Sequence, residues 1–333
     1  ICIGGGVFAA HAENEIRELA DLMQIPVITT MMGISVFPDD DQLFCGMIGT
    51  HGVKMANAAV NECDVLFLVG ARVGDRAVKT PLALEKTTKI IHIDIDPAEI
   101  GKNIGADLPL VGDAKLVLQQ MTELAKPMKH DEWIAHIKTL GGERKYVEPA
   151  KGTVNPRVFI DKLAKKMPAN VTVVADVGQN QIWTCTEYKF RKEGRLLTSG
   201  GMGTMGYSVP AAIGAKMADD SRATVAICGD GAFQMSFMEL ATAVQFGVDI
   251  KVVVMTNNRL GMVRELQTNG YHDRQTAVFL DGSPDFIKLA EAYGIPAMRV
   301  YDDDTMEKGV EMLAEHKGIC LVEVVVDKDM PTL

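Results

Sequence analysis

The sequence predicts an α/β protein made of two doubly wound parallel-sheet domains, and three observations predict it. Short β-branched runs recur along the whole chain, each too apolar on both sides to have one face in water, which is how buried parallel strands read. Stretches with helical apolar spacing separate these runs, and alternation of β and α elements implies parallel strands joined by crossover helices. One charged stretch with Pro and Gly near both ends divides the chain into two such units.

The first unit covers residues 1–126, with strands in "ICI", "PVIT", "DVLFLVG" and "KIIHIDID". Between the first two, "AENEIRELADLM" places Ile16, Leu19, Leu22 and Met23 at helical spacing. Residues 127–152, "PMKHDEWIAHIKTLGGERKYVEPAKG", read as a linker with one helix in it. The second unit, 153–333, opens at "VNPRVFIDKLAKKM", where Asn155 is suited to cap a helix and Pro156 to its first position. Its strands are "VTVVAD", "TVAICG", "IKVVVMT", "PAMRV" and "ICLVEVVV". "AFQMSFMELATAVQF" reads as one helix with Phe233, Phe237, Leu240, Ala241 and Val244 on a single face, closed by Gly247. The opening "ICIGGG" has no initiating Met and lies inside a strand, so the chain reads as a fragment or processed product with sequence missing upstream.

A composition of 47% hydrophobic and 23% charged residues is that of a globular protein with room for two domains. The net charge of -10 argues against nucleic acid or an anionic membrane as partner. A phosphorylated ligand would then be held by backbone N–H groups, helix ends or a metal. The cysteines Cys2, Cys45, Cys63, Cys185, Cys228 and Cys320 are scattered without a CxxC pair, as expected of reduced thiols in a cytoplasmic protein. No apolar run reaches the roughly 18 residues of a membrane span, and no signal peptide is visible.

The stretch of greatest chemical interest runs from Gly229-Asp230-Gly231 to Asn257-Asn258. A strand enters the first turn, a helix follows, and the next strand ends at the paired asparagines, so the crossover returns the chain parallel to its start. If the two strands are neighbours, their carboxyl ends lie about 5 Å apart. Asp230 and Asn257 then emerge at one sheet edge, where α/β sheets bind ligands. A carboxylate and an amide oxygen suit a hard cation such as Mg²⁺, which completes its octahedron with phosphate oxygens and water. Gly231 lets a phosphate approach the backbone at the start of the next helix. A Gly-Asp-Gly alone is more often a plain turn; the asparagine pair at this spacing makes the pattern specific.

From GDG to NN the pattern resembles the diphosphate-and-metal motif of thiamine-diphosphate (ThDP) enzymes. "VGQNQIW", "TSGGMGTMGYSVPAAIGA" and "PDFIKLAEAYG" resemble the ThDP-binding domain of acetolactate synthase (acetohydroxyacid synthase) large subunits. "IPVITT", "IGTHGVKMAN", "LVGARVGDR" and "IHIDIDP" resemble that family's central domain, so the likeness covers nearly the whole chain. It implies a Rossmann-like central domain followed by a ThDP diphosphate-binding domain. It further implies that Asp230 and Asn257 hold Mg²⁺ through side chains and Arg259 through its backbone carbonyl. Val177, Gly178, Gln179, Asn180, Gly231 and Ala232 would lie along the diphosphate, Asn180 standing where the family has His and sharing its ability to donate a hydrogen bond. Gly203 and Met205 of "GMGTM" would meet the cofactor, Met205 as the wedge that keeps it bent, with Gly261, Met262 and Val263 lining it.

In the central domain the resemblance implies a structural FAD held by Gly4, Gly5, Gly6, Thr29, Thr30, His51, Gly70, Arg72, Asp94, Asp96 and Asp113. Gly74 stands where the family has Asp. Arg72 and Arg76 lie just past a strand end, where burying them without an anion is costly. The implied activity is that of a transferase in branched-chain amino acid biosynthesis. It decarboxylates pyruvate and ligates the product to a second 2-oxo acid, giving 2-acetolactate or 2-aceto-2-hydroxybutyrate. The implied assembly is a homodimer or tetramer, to which a regulatory small subunit can be added. No catalytic acid or base is expected within these residues, because the family's proton-activating Glu belongs to an N-terminal pyrimidine-binding domain. Arg76 would fix the acceptor's carboxylate. Leu266 stands where Trp is usual and Thr50 where Met is usual, which predicts a weaker preference for 2-oxobutyrate over pyruvate. Two other readings stay open at this point: a different ThDP enzyme, such as a pyruvate oxidase or a 2-oxo acid decarboxylase, or a non-catalytic nucleotide-binding fragment.

Overall fold

The computed structural model describes residues 1–142 and 146–333, and the chain divides into two compact units, Ile1–Arg144 and Lys145–Leu333. Both are doubly wound α/β units, as the sequence predicts.

The first unit has six parallel strands: β1 (Cys2–Ile3), β2 (Val27–Thr29), β3 (Phe44–Met47), β4 (Val65–Val69), β5 (Lys89–Asp94) and β6 (Leu108–Val111). Their order is β3-β2-β1-β4-β5-β6, so the chain reverses direction across the sheet between β1 and β4. Successive strand residues point to opposite faces, and both faces are covered. Ile3, Val27, Val69 and Ile93 pack with Ile16 and Leu19 of the helix Glu13–Met23 and Leu118 of the helix Ala114–Leu124. Cys2, Ile28, Leu68 and Ile90 pack on the other side with Ala56, Ala59 and Val60 of the helix Lys54–Glu62. That double burial is why the inner strands lack alternation.

The stretch read as a linker is divided. Its helix, Asp131–Leu140, buries Ile137 in the second of these clusters, and His136 Nε2 lies 2.7 Å from Glu62 Oε2. Beyond residue 145, Asn155 Nδ2 donates to the Val147 carbonyl at 2.9 Å, tying that part to the second unit.

The second unit also has six parallel strands: β7 (Thr172–Ala175), β8 (Arg195–Thr198), β9 (Thr224–Gly229), β10 (Lys251–Thr256), β11 (Ala297–Val300) and β12 (Cys320–Val325). The order is β11-β12-β10-β9-β7-β8, so the reversal falls between β7 and β9, and β10 lies beside β9. Asn155 caps the helix Pro156–Lys166 by accepting from Arg157 N at 2.9 Å, with Pro156 in its first turn.

One expected element is not there. The segment after Gly229 is a single turn, Asp230–Phe233, then a 3₁₀ turn, Phe237–Glu239, then the helix Leu240–Gln245. Between them Met235 N bonds to Ala232 O and Ser236 N to Phe233 O, three-residue closures that end the first turn. Phe233 and Leu240 are buried in one core, but Ala241 and Val244 are exposed. The spacing of Phe233 and Leu240 survives the break, which is why the pattern reads as one helix.

All six cysteines are free, five buried and Cys63 half-buried. Burial pushes the thiols of Cys2 and Cys185 up to about 12, leaving them unreactive. Among the described residues no helix is long and apolar enough to cross a membrane.

Candidate functional site

The carboxyl ends of β7, β9 and β10 meet where the strand order of the second unit reverses, the edge at which such sheets bind ligands. β7 runs into Asp176, which is fully buried. Its Oδ1 accepts from Val177 N at 2.9 Å and Gly206 N at 3.0 Å, and its Oδ2 from Ser208 N at 2.8 Å. This carboxylate thereby ties the end of β7 to the loop that carries Met205. The sequence reading missed it; an acidic residue closing an apolar strand was the available signal. Gly178 follows at φ 144° and ψ -168°, a conformation essentially restricted to glycine. The helix Gln179–Glu187 then starts at the site.

Asn180 is turned otherwise than expected. Its Nδ2 donates to Asp176 O at 2.8 Å and Ile227 O at 3.2 Å, so both of its donors join the ends of β7 and β9. A diphosphate would therefore meet the backbone here and not the Asn180 amide.

Asp230 leaves β9 and is buried. It accepts from Gly231 N at 2.8 Å, Asn257 N at 3.1 Å and Asn258 N at 2.6 Å. Burial pushes its carboxyl up to about 6, and the three N–H groups only partly offset that. It is a buried acid whose bonded partners are all neutral. Asn258 bends back at φ 53°, a left-handed turn that Asn tolerates. Arg259 pairs with Phe279 in an isolated antiparallel bridge, flanked by Leu260 N to Val278 O at 2.9 Å and Leu280 N to Asn258 O at 3.0 Å. In such a pair the residue's own N–H and C=O point away from its partner. The N–H goes to Asn257 Oδ1 at 3.1 Å, so the Arg259 carbonyl faces that side as well. One carboxylate, one amide oxygen and one carbonyl thus share an edge, a donor set suited to a hard cation.

Gln179 Oε1 accepts from Asn257 Nδ2 at 3.2 Å. Gly261 makes this contact possible, since a Cβ there would stand 1.9 Å from Gln179 Oε1. A cavity of about 150 Å³ opens beside these groups. Its lining includes every residue expected to meet ThDP except Gly203, together with Arg259 and Leu266. Trp183, Met255, Leu260 and Val326 also line it, apolar positions with no distinguishing mark in the sequence. Met205 is half-buried against the core. A Cβ on Gly231 would meet Leu260 Cδ2 at 2.7 Å and Leu280 Cδ1 at 3.2 Å, so this glycine makes room for side chains. The anion-attracting helix expected after it is a single turn.

In the first unit, Gly4 to Gly6, Thr29, Thr30, Gly70, Arg72, Asp94 and Asp96 collect at the carboxyl edge of β1, β2, β4 and β5, across its own reversal point. Gly4 and Gly6 face backbone: their Cβ atoms would stand 2.1 Å from Gly70 O and 2.7 Å from Gly70 Cα. Asp94 and Asp96 accept from Asp96 N and Ala98 N, and Asp113 caps the next helix by accepting from Leu116 N. The Thr29 hydroxyl is fully buried and has no partner among the described residues. Arg72 and Arg76 are exposed, so the burial cost that singled them out does not arise. Thr50 N donates to Arg76 O at 2.9 Å, which brings two of the expected acceptor residues together. His51, next to Thr50 in sequence, is half-buried.

Comparison with known proteins follows the same division. Residues 1–121 match the family described as thiamine pyrophosphate enzyme, central domain, and residues 176–324 the one described as thiamine pyrophosphate enzyme, C-terminal TPP binding domain. The chain is 40% identical to a probable acetolactate synthase large subunit of Methanocaldococcus jannaschii, over 98% of its length and 57% of that protein. It is 36% identical to the acetolactate synthase large subunit of Lactococcus lactis, with the same coverage of 98% and 57%. It is 39% identical to an acetolactate synthase of Mycobacterium bovis, over 98% of this chain and 54% of that one. The chain thus spans about half the length of the curated relatives it matches. It belongs to the thiamine pyrophosphate enzymes, with their central and C-terminal TPP-binding domains, and within them is similar to acetolactate synthase large subunits.

Proposed function

We propose that the second unit binds the diphosphate of ThDP through Mg²⁺, and that the protein carrying this chain is an acetolactate synthase acting on pyruvate and a second 2-oxo acid. The observation that carries this reading is Asp230: a buried carboxyl without a cationic partner, beside the Asn257 amide and the Arg259 carbonyl at the switch point. Burying a lone carboxylate is costly, and a divalent cation removes that cost. The helix Gln179–Glu187 begins at the site, and the N-terminus of a helix favours an anion, which supports a diphosphate there. Met205, held half-buried by the loop that Asp176 fixes, supports the middle of the cofactor. When bound, ThDP supplies the electron sink that decarboxylation of a 2-oxo acid requires.

Among the described residues Asp230 is the one carboxyl group lining the cavity, and in this reading it serves the cation. We assign the proton-handling group to a Glu of an N-terminal pyrimidine-binding domain, as the resemblance implies. Exposed Met202, Met235 and Met238 support association into at least a homodimer. The free thiols agree with a cytoplasmic setting. FAD in the first unit rests on position at the reversal point and on the unpartnered Thr29 hydroxyl.

Titration calorimetry with Mg²⁺ and ThDP tests the central statement. The native protein should bind ThDP only with the cation present, and Asp230→Ala should lose that binding. Unchanged affinity in the variant overturns the reading. Product analysis with pyruvate separates a synthase from a decarboxylase or oxidase, and a flavin absorbance band in the purified protein tests the FAD site.

A further inference from the structure

The segment Asp327–Thr332 follows β12 and lies bonded to both helices of the site. Trp183 Nε1 donates to Pro331 O at 3.1 Å, Gln179 Nε2 to Met330 O at 2.9 Å, and Arg157 to Thr332 O at 2.7 Å. From the helix Gly261–Gly270, Arg264 reaches Asp329 at 3.6 Å. Its neighbour Glu265 accepts from Thr332 N at 3.2 Å, from the Thr332 hydroxyl, and from Gln179 Nε2 at 3.4 Å. Met330 and Thr332 are both buried.

The polarity of these contacts is determined by chemistry. Glu265 as a carboxylate only accepts, and so does the Met330 carbonyl. Whichever end of the Gln179 amide faces them must be its NH₂. Its oxygen therefore faces Asn257 and requires the NH₂ end of that amide in turn. The Asn257 oxygen is thereby turned away from Gln179 toward the Arg259 turn, where one N–H occupies one of its two lone pairs. The other lone pair is left for a ligand. Gly261 keeps the Gln179–Asn257 contact open, because any side chain at that position would occupy it.

We propose that Glu265 is a positioning residue. By gathering Thr332 and Gln179 it sets the direction of two consecutive amides and so presents the Asn257 oxygen to the cation. It acts chiefly by holding the segment whose Met330 carbonyl and Thr332 hydroxyl oxygen face the Gln179 NH₂ at 2.9 and 3.2 Å, its own carboxylate lying farther from that NH₂ at 3.4 Å. The inference rests on the reading that a cation binds at Asp230 and Asn257.

All three donors reach one oxygen, Oε2, and Thr332 N is also 3.3 Å from Oε1. Glu265→Leu, which removes both oxygens, is therefore the disruptive variant, while Glu265→Gln can keep an oxygen in that place and loses mainly the charge. Thr332→Val removes the hydroxyl alone. The measurements are the Mg²⁺ concentration for half-maximal ThDP binding by calorimetry and amide hydrogen exchange over residues 176–180, 255–262 and 327–332. Groups behind a metal ligand typically change metal affinity by 10–100-fold. Glu265→Leu is expected to raise the Mg²⁺ requirement roughly tenfold, Glu265→Gln and Thr332→Val by smaller factors, each with faster exchange in all three segments. Faster exchange at 327–332 with an unchanged Mg²⁺ requirement would show a clasp that positions nothing, and overturns the proposal. So would variants indistinguishable from the native protein in both measurements. A native protein that binds no ThDP with Mg²⁺ removes the cation site itself, and the proposal with it. That result is distinct because it arises before any substitution.

Discussion

The two units place glycines at the end of a central strand for opposite reasons. After β1, Gly4 and Gly6 are small so that backbone can pass backbone: the Gly70 carbonyl sits 2.1 Å from where a Cβ on Gly4 would be. After β9, Gly229 and Gly231 flank a buried acid that neighbouring N–H groups hold in place. The first turn is packing at a sheet edge. The second buries the acid on which the proposed cation site rests. A glycine-rich turn after a strand is thus no indication of a site until a polar group is found buried between the glycines without a partner of opposite charge.

Substitutions at the two turns should separate these roles, and Asp230→Ala should have the largest effect. We expect it to reduce Mg²⁺-dependent ThDP affinity by at least about 100-fold while leaving thermal stability without cation unchanged or higher, since a costly buried acid is removed. Gly4→Ala should do the reverse, costing the first unit about 3 kcal/mol by overpacking, read as a lower melting temperature. If Gly4→Ala is tolerated and Asp230→Ala unfolds the protein, the contrast fails.

Gly261→Ala comes next. A methyl group 1.9 Å from Gln179 Oε1 must separate Gln179 from Asn257, and we expect Mg²⁺ affinity to fall by about 10-fold or more with secondary structure retained by circular dichroism.

The pH dependence is smaller at any one step. The Asp230 carboxyl is raised from its ordinary range to about 6, so protons and Mg²⁺ compete for it near neutrality. Affinity should decline roughly tenfold per pH unit below about 6 and level off above it. Without cation the sign for stability is opposite. A raised acid favours the folded state while protonated, and that contribution is lost as pH rises from about 4 through about 6. Adding Mg²⁺ above pH 6 should restore it, as calorimetric scans would show.

The smallest effects expected of the proposed synthase concern its acceptor. Thr50→Met and Leu266→Trp should each shift competition between acceptors toward 2-oxobutyrate by about 1 kcal/mol, a few-fold in product ratio. No shift from either would mean that these side chains do not meet the acceptor.

How much could be read beforehand depended on where each strand lies. Every interior strand was legible, because a strand buried on both faces is mostly apolar, with His92, Lys251 and Glu323 the buried ionisable exceptions in β5, β10 and β12. The three missed strands, β3, β6 and β8, are all edges. "FCGM" carries Gly46 at φ 99° next to a shift of register, "LPLV" contains Pro and is largely exposed, and "RLLT" opens with Arg. An edge has fewer neighbours to satisfy, so its composition is free to look like a loop.

The sequence by itself determined the two α/β units, their inner strands, the cap at Asn155 and the meeting of Asp230 with Asn257. Each follows from local spacing and the handedness of a crossover, which are properties of contiguous chain. Only the tertiary structure decided that the helix after Gly229 breaks and that Asn180 turns its donors inward. It alone brought Asp176 to the Met205 loop and Glu265 to Thr332. These depend on which groups from distant parts of the chain lack a hydrogen-bond partner once buried, and that is settled only when the sheet brings them together.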